Sequence, residues 1–230
     1  MWGDEGRREY RVSYLPQEIY IEPPPQGGLK FSDEEKKHLL MAIGALTLAF
    51  TLFWTNITIF TMDLVTLLFV VGIAFTAVVT GFLLHEIGHK IVAQRYGCWA
   101  EFRVWPMGLM MAIISGFIGF LFAAPGAVYI RGNLTEKQNG IVSAAGPGTN
   151  IVVASFLMPV LIFMIDPESL IGGLVWMICY LNVFLGGFNM IPFPPLDGSK
   201  IIKWNVGIWV GILAILGGYF WLLINMVGGF

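Results

Sequence analysis

The residues of this sequence whose types and spacing are best suited to chemistry are His85, Glu86 and His89 in the segment HEIGH. On a helix, residues four apart lie on one face, so His85 and His89 can offer two imidazole nitrogens to one metal ion. Glu86 is then placed to take a proton from a water bound to that metal, an arrangement suited to metal-assisted hydrolysis. The alternative is a pair of buried histidines satisfied by hydrogen bonds.

A catalytic zinc usually has three protein ligands and one open position, so a third ligand is needed. The third histidine of the chain, His38, stands at the start of an apolar span and is better explained as an interface residue. Asp197 in Leu196-Asp197-Gly198 follows a proline-broken segment and is the leading candidate. The alternative for Asp197 is a turn or helix-capping aspartate, since Asp-Gly favours turns.

The composition predicts what kind of secondary-structure elements position these residues. The chain has 230 residues, of which 57% are hydrophobic and 12% charged, against roughly 25% charged in soluble domains. We therefore predict an integral membrane protein of the all-α class, a polytopic helical bundle with short β-strands near the active site. The net charge of −2 gives no indication of nucleic-acid binding. Cys98 and Cys179 suit small apolar packing positions better than a disulfide.

Apolar runs predict five spans. Ser32 is the expected N-cap of the first span, with Glu35 at the capping-box position, and Asp63 caps the second. Lys90 near the end of the second span reads as an interface residue. The spans are 38–53, 64–96, 140–165, 170–191 and 206–226.

Between the second and third spans, WAEFRVW (Trp99–Trp105) alternates as a strand does, and AVYI (Ala127–Ile130) reads as a second short strand. The apolar segment Pro106–Pro125 is too short to cross twice, since two crossings need roughly 40 residues. We expect it to be a re-entrant or interfacial segment, with a plain sixth span as the alternative. The stretch Arg131–Asn139 is expected to be a polar loop.

The basic residues predict the topology. All 13 Lys and Arg lie before or at the start of the first span, between Lys90 and Lys137, or after Asp197. If Pro106–Pro125 does not cross, these regions share one side, which the positive-inside rule makes cytosolic. Residues 1–37 are then a cytosolic polar tail without a signal peptide, 38–230 form the membrane domain, and the C-terminus lies outside.

HEIGH near the end of the second span, together with Asn189, Pro192 and Leu196-Asp197-Gly198 downstream, resembles the site-2 protease family of intramembrane zinc metalloproteases. The resemblance covers roughly 64–203. It implies that His85, His89 and Asp197 are zinc ligands and that Glu86 is the catalytic base.

The same resemblance makes Asn150, in Gly146-Pro147-Gly148-Thr149-Asn150, a candidate for substrate or oxyanion contact, with helix packing as the alternative. Asn189 is expected to shape the loop that presents Asp197 and to contact substrate. The implied substrate is a transmembrane protein, cleaved within or near its membrane segment in a lipid bilayer. We expect it to unwind locally and to pair as an added strand with WAEFRVW or AVYI. We expect no PDZ domain and no pair of CBS domains.

Three other functions are compatible with parts of the pattern. A membrane metalloprotease acting on soluble or prenylated substrates would need a glutamate ligand in an apolar helix, and Glu101, Glu136 and Glu168 do not lie in one. A metal transporter would use the same donor residues but usually shows repeated halves, which this sequence lacks. An inactive relative is disfavoured because Glu86 is retained.

Overall fold

A computed structural model describes residues 29–120, 122, 124–166 and 169–227 of the chain. Within these residues, five helices are long and apolar enough to cross a membrane, which confirms the predicted helical bundle. They are Asp33–Thr55 (α1), Leu64–Arg95, Glu136–Phe163 (α5), Leu170–Asn189 (α6) and Val206–Met226 within α8 (Val206–Val227). Residues 1–28 of the predicted cytosolic tail lie outside the described part.

The second span is a continuous helical rod in three parts. An α-helix over Leu64–Val78 (α2) passes into a π-helical turn over Val79–Leu83, and an α-helix over Leu84–Arg95 (α3) completes it. The sequence pattern predicted the rod but not the π-helical turn. The site motif HEIGH begins on the second residue of α3, directly after that turn.

Side-chain caps determine where several helices begin. Ser32 caps α1 by accepting a hydrogen bond from the Glu35 N–H, and Asp63 caps α2 by accepting from Val65 and Thr66. The hydrogen bond from the Thr66 hydroxyl lowers the pKa of the Asp63 carboxyl below its ordinary value, and the hydrogen bond from the Thr66 N–H adds to this effect. The predicted N-caps Ser32 and Asp63 are thus both confirmed.

Two local predictions are wrong. Glu35 does not complete a capping box, because its carboxylate is fully buried and contacts Lys90 and Phe102 instead. The polar loop predicted up to Asn139 ends earlier, because α5 begins at Glu136 with Thr135 and Gln138 forming a reciprocal capping box.

A two-stranded antiparallel sheet follows α3. Strand β1 is Trp99–Val104 and strand β2 is Gly126–Arg131, with Trp99 paired with Arg131 and Val104 with Gly126. Both predicted strands are confirmed. Because Val104 and Gly126 are neighbours, the apolar segment between them starts and ends at the same end of the sheet.

That intervening segment carries the helix α4 (Pro106–Phe117), which packs along α1. Gly116 lies against the backbone of Ala49, so closely that a Cβ there would collide with it. Further along, Gly119 lies beside Asn56, at the C-terminal end of α1. The chain then returns to β2. Both ends of the segment thus lie at one end of the sheet, as the predicted re-entrant segment requires, and its helix is shorter than the five candidate spans.

The core lies in three apolar clusters. One joins α1, the rod, β1, α4 and α6; the second joins α5, α6, α8 and the short helix Gly198–Trp204 (α7); the third lies between α3, the sheet and the start of α5. Cys98 and Cys179 are buried free thiols within these clusters, in line with the packing role expected of them.

Contacts between helix ends show which ends lie together. Lys90 in α3 contacts Glu35 in the first turn of α1, and His89 contacts Val142 in the second turn of α5. The chain that leaves the C-terminal end of α6 brings Asp197 to the same histidines. The start of α1, the end of α3, the start of α5 and the end of α6 therefore meet at one end of the bundle.

Candidate metal centre

The three predicted ligand side chains meet in a buried group. His85 Nε2 and His89 Nε2 are 3.0 Å apart, and Asp197 Oδ2 lies 3.4 Å from the first and 3.1 Å from the second. All three residues are at most 7% exposed. Helix geometry brings the two histidines together, and the non-helical segment after α6 brings in Asp197. The three side chains form a group that can hold a metal ion.

The outer nitrogens of both imidazoles have acceptor partners. His85 Nδ1 lies 2.7 Å from Asn150 Oδ1, and His89 Nδ1 lies 2.8 Å from the carbonyl oxygen of Val142. Because an amide oxygen and a carbonyl oxygen can only accept hydrogen bonds, each Nδ1 must carry a hydrogen and act as the donor. In the neutral imidazoles each Nε2 is then an unprotonated acceptor that points at the other histidine and at Asp197.

Three acceptor atoms so close together repel one another unless a cation lies among them. In a tetrahedral zinc site with Zn–N and Zn–O bonds of about 2.0–2.1 Å, ligand atoms stand about 3.3 Å apart. The separations of 3.0, 3.4 and 3.1 Å agree with that spacing. The donor set and its geometry therefore fit a zinc ion, and they do not fit two histidines satisfied by hydrogen bonds to each other.

Gly146 in α5 keeps the space beside the two imidazoles open. A Cβ on this residue would collide with Nε2 of both His85 and His89. Gly148, two residues further along, has nothing within 4 Å of the corresponding position. The requirement for glycine at 146 is thus specific to the side of α5 that faces the histidines.

Asn150 belongs to a polar network around the π-helical turn. It is fully buried, and besides the contact to His85 its Nδ2 donates to the Gly81 carbonyl oxygen at 2.8 Å and to Asn182 Oδ1 at 3.2 Å. Asn182 in turn donates to the Thr80 hydroxyl. Both protons and the oxygen of the Asn150 amide therefore have protein partners, and the substrate contact predicted for it stays a prediction.

Glu86 is hydrogen-bonded to the sheet. Its Oε2 accepts a hydrogen bond from the Val128 N–H of β2 at 3.1 Å. Glu86 also lines a cavity of about 520 Å³ that reaches both histidines and Asp197. A carboxylate beside the metal group and open to this cavity is suited to proton transfer.

The cavity is bounded by the site, by β2 and by the segment before α7. Its walls include Val128, Trp105 and the half-buried Asn189, whose Nδ2 donates to the Leu185 carbonyl oxygen. The proline-broken segment contributes Phe193, Pro194, Pro195 and Leu196. On the outer side of Asp197, Lys200 Nζ lies 3.8 Å from Oδ1. The predicted residue Asn189 is thus at the cavity wall, and Asn150 is behind His85.

Sequence reasoning missed two parts of this site. Asn182 and Thr80 had no recognisable motif, since a single amide in an apolar helix is a weak signal by itself. The position of Lys90 near the end of its span predicts an interface residue, whereas its side chain is 1% exposed and paired with Glu35. A lysine directly after HEIGH and a glutamate in the first turn of α1 are separated by 55 positions, so only packing brings them together.

A bundle of membrane-spanning helices with two histidines, a carboxylate and a neighbouring glutamate at one cavity defines a membrane metallohydrolase. Comparisons with known proteins agree with this class. The chain is 38% identical over 191 residues to a protein of Methanocaldococcus jannaschii assigned as a zinc metalloprotease, covering 82% of this chain and 95% of that one.

Two bacterial proteins assigned as zinc metalloproteases are also similar. One, from Mycolicibacterium smegmatis, is 34% identical over 56% of this chain and 57% of its own length. The other, from Bacillus subtilis, is 31% identical over 54% of this chain and 65% of its own length. No family model matches the chain, and no solved structure matches it. The chain belongs to the site-2 protease family of membrane zinc metalloproteases, and its cofactor is zinc.

Proposed function

We propose that this protein is an intramembrane endopeptidase that hydrolyses peptide bonds within or near the transmembrane segments of membrane proteins. His85, His89 and Asp197 hold the zinc ion, and Glu86 is the catalytic base. The observation that carries the proposal is the meeting of the three acceptor atoms beside Glu86, at a cavity bordered by an open strand edge.

The residues divide the chemistry between them. When bound, zinc supplies Lewis acidity that activates a water molecule and polarises the peptide carbonyl. Glu86 accepts the proton of that water as the carbonyl is attacked and gives it to the leaving nitrogen. Asn150 Oδ1 holds the His85 ring by accepting a hydrogen bond from its Nδ1–H, and the Val142 carbonyl oxygen does the same for His89.

The outer edge of β2 supports binding of the substrate as an added strand. The Val128 N–H points to Glu86, so the backbone groups of Val128 face the site, and those of Gly126 and Ile130 share that edge by the two-residue repeat of a strand. All three residues line the cavity. Because helical hydrogen bonds hide peptide groups, a transmembrane substrate unwinds locally and pairs with this edge. Asn189 then contacts it from the opposite wall.

The basic residues support a cytosolic position for the site. The end of the bundle where α1 begins and α3 ends is next to the described segments that carry Lys and Arg. The helical rod Leu64–Arg95 is 32 residues long, about 48 Å, and exceeds a hydrocarbon core of about 30 Å. The rod therefore extends past the core, and we propose that its HEIGH end reaches the interface, where water is available. We place the protein in the cell membrane with this end in the cytosol.

The test is cleavage in liposomes by purified wild-type protein and by Glu86→Gln, each with its zinc content measured. The reporter is a single-span protein whose transmembrane segment contains glycine in the half nearer the cytosol. A fluorophore and a quencher stand on either side of that half. We expect the wild type to cleave inside or next to the span, as mapped by mass spectrometry, and Glu86→Gln to keep zinc and cleave nothing measurable.

A soluble unfolded chain serves as the comparison substrate. Cleavage of that chain at the same rate as the reporter, or cuts only far from the span, would overturn the intramembrane assignment while leaving a membrane zinc protease. Activity of Glu86→Gln within a few-fold of wild type would remove Glu86 from the mechanism.

A further inference from the structure

Glu35 and Lys90 form an ion pair that is cut off from solvent. Lys90 Nζ lies 2.6 Å from Glu35 Oε2, and the two residues are 1% and 0% exposed. The ammonium also donates to the Ala100 carbonyl oxygen at 2.8 Å and lies 4.7 Å from the centre of the Phe31 ring. The other oxygen of Glu35 accepts from the Phe102 N–H at 3.0 Å. The proposed mechanism does not use either charge.

Both contacts to the sheet fall on the outer edge of β1. In an antiparallel pair, residues alternate between those that bond to the partner strand and those whose backbone groups point away. Ala100 and Phe102 are two apart and pair in register with Ile130 and Val128. Their bonds to Lys90 and Glu35 occupy the positions that a third strand would use on this side. The pair therefore closes the β1 edge.

Glu86 and Glu35 bind the two N–H groups of one cross-strand pair. Glu86 accepts from Val128 at the outer edge of β2, and Glu35 accepts from Phe102, which is directly opposite Val128, at the outer edge of β1. Lys90 is one helical turn after Glu86 on the same face of α3. The helix that carries the metal ligands is thus connected to the sheet at both of its edges.

We propose that Glu35 and Lys90 are positioning residues that hold the sheet against α3, so that the open edge of β2 presents the substrate backbone to Glu86. The inference rests on the proposed function, since it concerns the strand to which the substrate adds. On this proposal the substrate adds at the β2 edge, because the Phe102 N–H and the Ala100 carbonyl of the β1 edge are bonded to Glu35 and Lys90.

The charges themselves support a role in placement. A buried ion pair generally stabilises a protein no more than an apolar pair of similar volume, because both charges lose their hydration. Two apolar side chains would fill the same space but leave the Phe102 N–H and the Ala100 carbonyl without partners. Hydrogen bonds have a defined direction, so bonds to one strand fix the position of that strand relative to α3. Apolar contacts have no such direction.

The first experiment shortens the carboxylate by one methylene. Glu35→Asp cannot reach both Lys90 and Phe102, whereas Glu34→Asp makes the same chemical change at an exposed neighbour and is the matched control. With the single-span reporter in liposomes, we expect Glu35→Asp to bind zinc as the wild type does and to raise KM by about tenfold or more, with a smaller change in kcat. A small hydroxamate, which needs only the metal and Glu86, should inhibit both variants equally.

The second experiment compares two neutral pairs. Glu35→Gln with Lys90→Gln keeps donors and acceptors for the strand, whereas Glu35→Leu with Lys90→Met keeps only the volume. We expect the first pair to retain a KM nearer that of the wild type and the second to reproduce or exceed the rise seen in Glu35→Asp.

Three results would overturn the proposal: equal KM for Glu35→Asp and Glu34→Asp, equal KM for the two neutral pairs, or loss of zinc in Glu35→Asp, which would make the pair a support of the metal site itself. Failure of the proposed function is a separate result, because the zinc-loaded wild type would then not cleave the reporter at all.

Discussion

The amide oxygen of Asn150 lies 2.7 Å from Nδ1 of His85, and the two residues are 65 positions apart in the chain. This contact determines which nitrogen of His85 carries the proton and therefore which nitrogen can bind zinc. The amide is itself held by the Gly81 carbonyl in the π-helical turn that precedes the metal-binding motif. The first prediction concerns this residue.

Asn150→Leu should weaken zinc binding by about 10- to 100-fold, because His85 loses the partner that orients its ring. Zinc affinity is measured by competition with a chromophoric chelator. Asn225→Leu, at an exposed asparagine of α8, is the control and should bind zinc normally. Full zinc affinity in Asn150→Leu together with lost cleavage would instead support the substrate or oxyanion contact expected from the sequence.

Removal of any one of the three proposed ligands should lower the zinc content. His85→Ala, His89→Ala and Asp197→Ala should each hold much less than the one zinc per chain expected of the wild type, because two ligands do not complete a protein zinc site. Metal content is measured on purified protein by mass spectrometry. Undiminished zinc in Asp197→Ala would reduce Asp197 to a turn residue and leave the third ligand to be found.

Gly146 and Gly148 give a matched pair of substitutions in α5. Gly146→Ala places a methyl group against Nε2 of His85 and His89, so zinc affinity should fall by at least about tenfold. Gly148→Ala meets nothing within 4 Å and should bind zinc as the wild type does. Chelator competition on both proteins checks this, and equal affinities would show that α5 moves away at little cost.

The topology is checked by cysteine labelling in a Cys98→Ala, Cys179→Ala background. A cysteine added before Met1 and one at Lys137 should react only from the cytosolic side, as expected from the distribution of basic residues. A cysteine added after Phe230 and one at Phe60, between α1 and α2, should react only from the outside. If the cysteines before Met1 and after Phe230 reacted from the same side, the number of crossings would be even, against the five-span arrangement.

Those parts of the site that depend on short-range geometry were predictable from the residues. The spacing of His85 and His89 is a property of any helix, and the apolar runs between charged segments are long enough to require membrane spans. The alternation in WAEFRVW likewise predicts a strand without knowledge of its partner. Asp197 was the leading candidate for the third ligand once the two histidines were recognised, and the family resemblance supported it. The Asp-Gly pair alone does not separate a ligand from an ordinary turn residue.

The amino-acid sequence by itself thus determined a membrane bundle, the two histidines on one helical face, the glutamate beside them and the short strands. Only the tertiary structure decided that Asn150 supports His85, that Lys90 is buried against Glu35 and that β2, not β1, offers its edge to the site. The physical reason is that helix and strand periodicity follow from the backbone of neighbouring residues. A hydrogen bond between positions 55 or 65 residues apart exists only after the helices have packed.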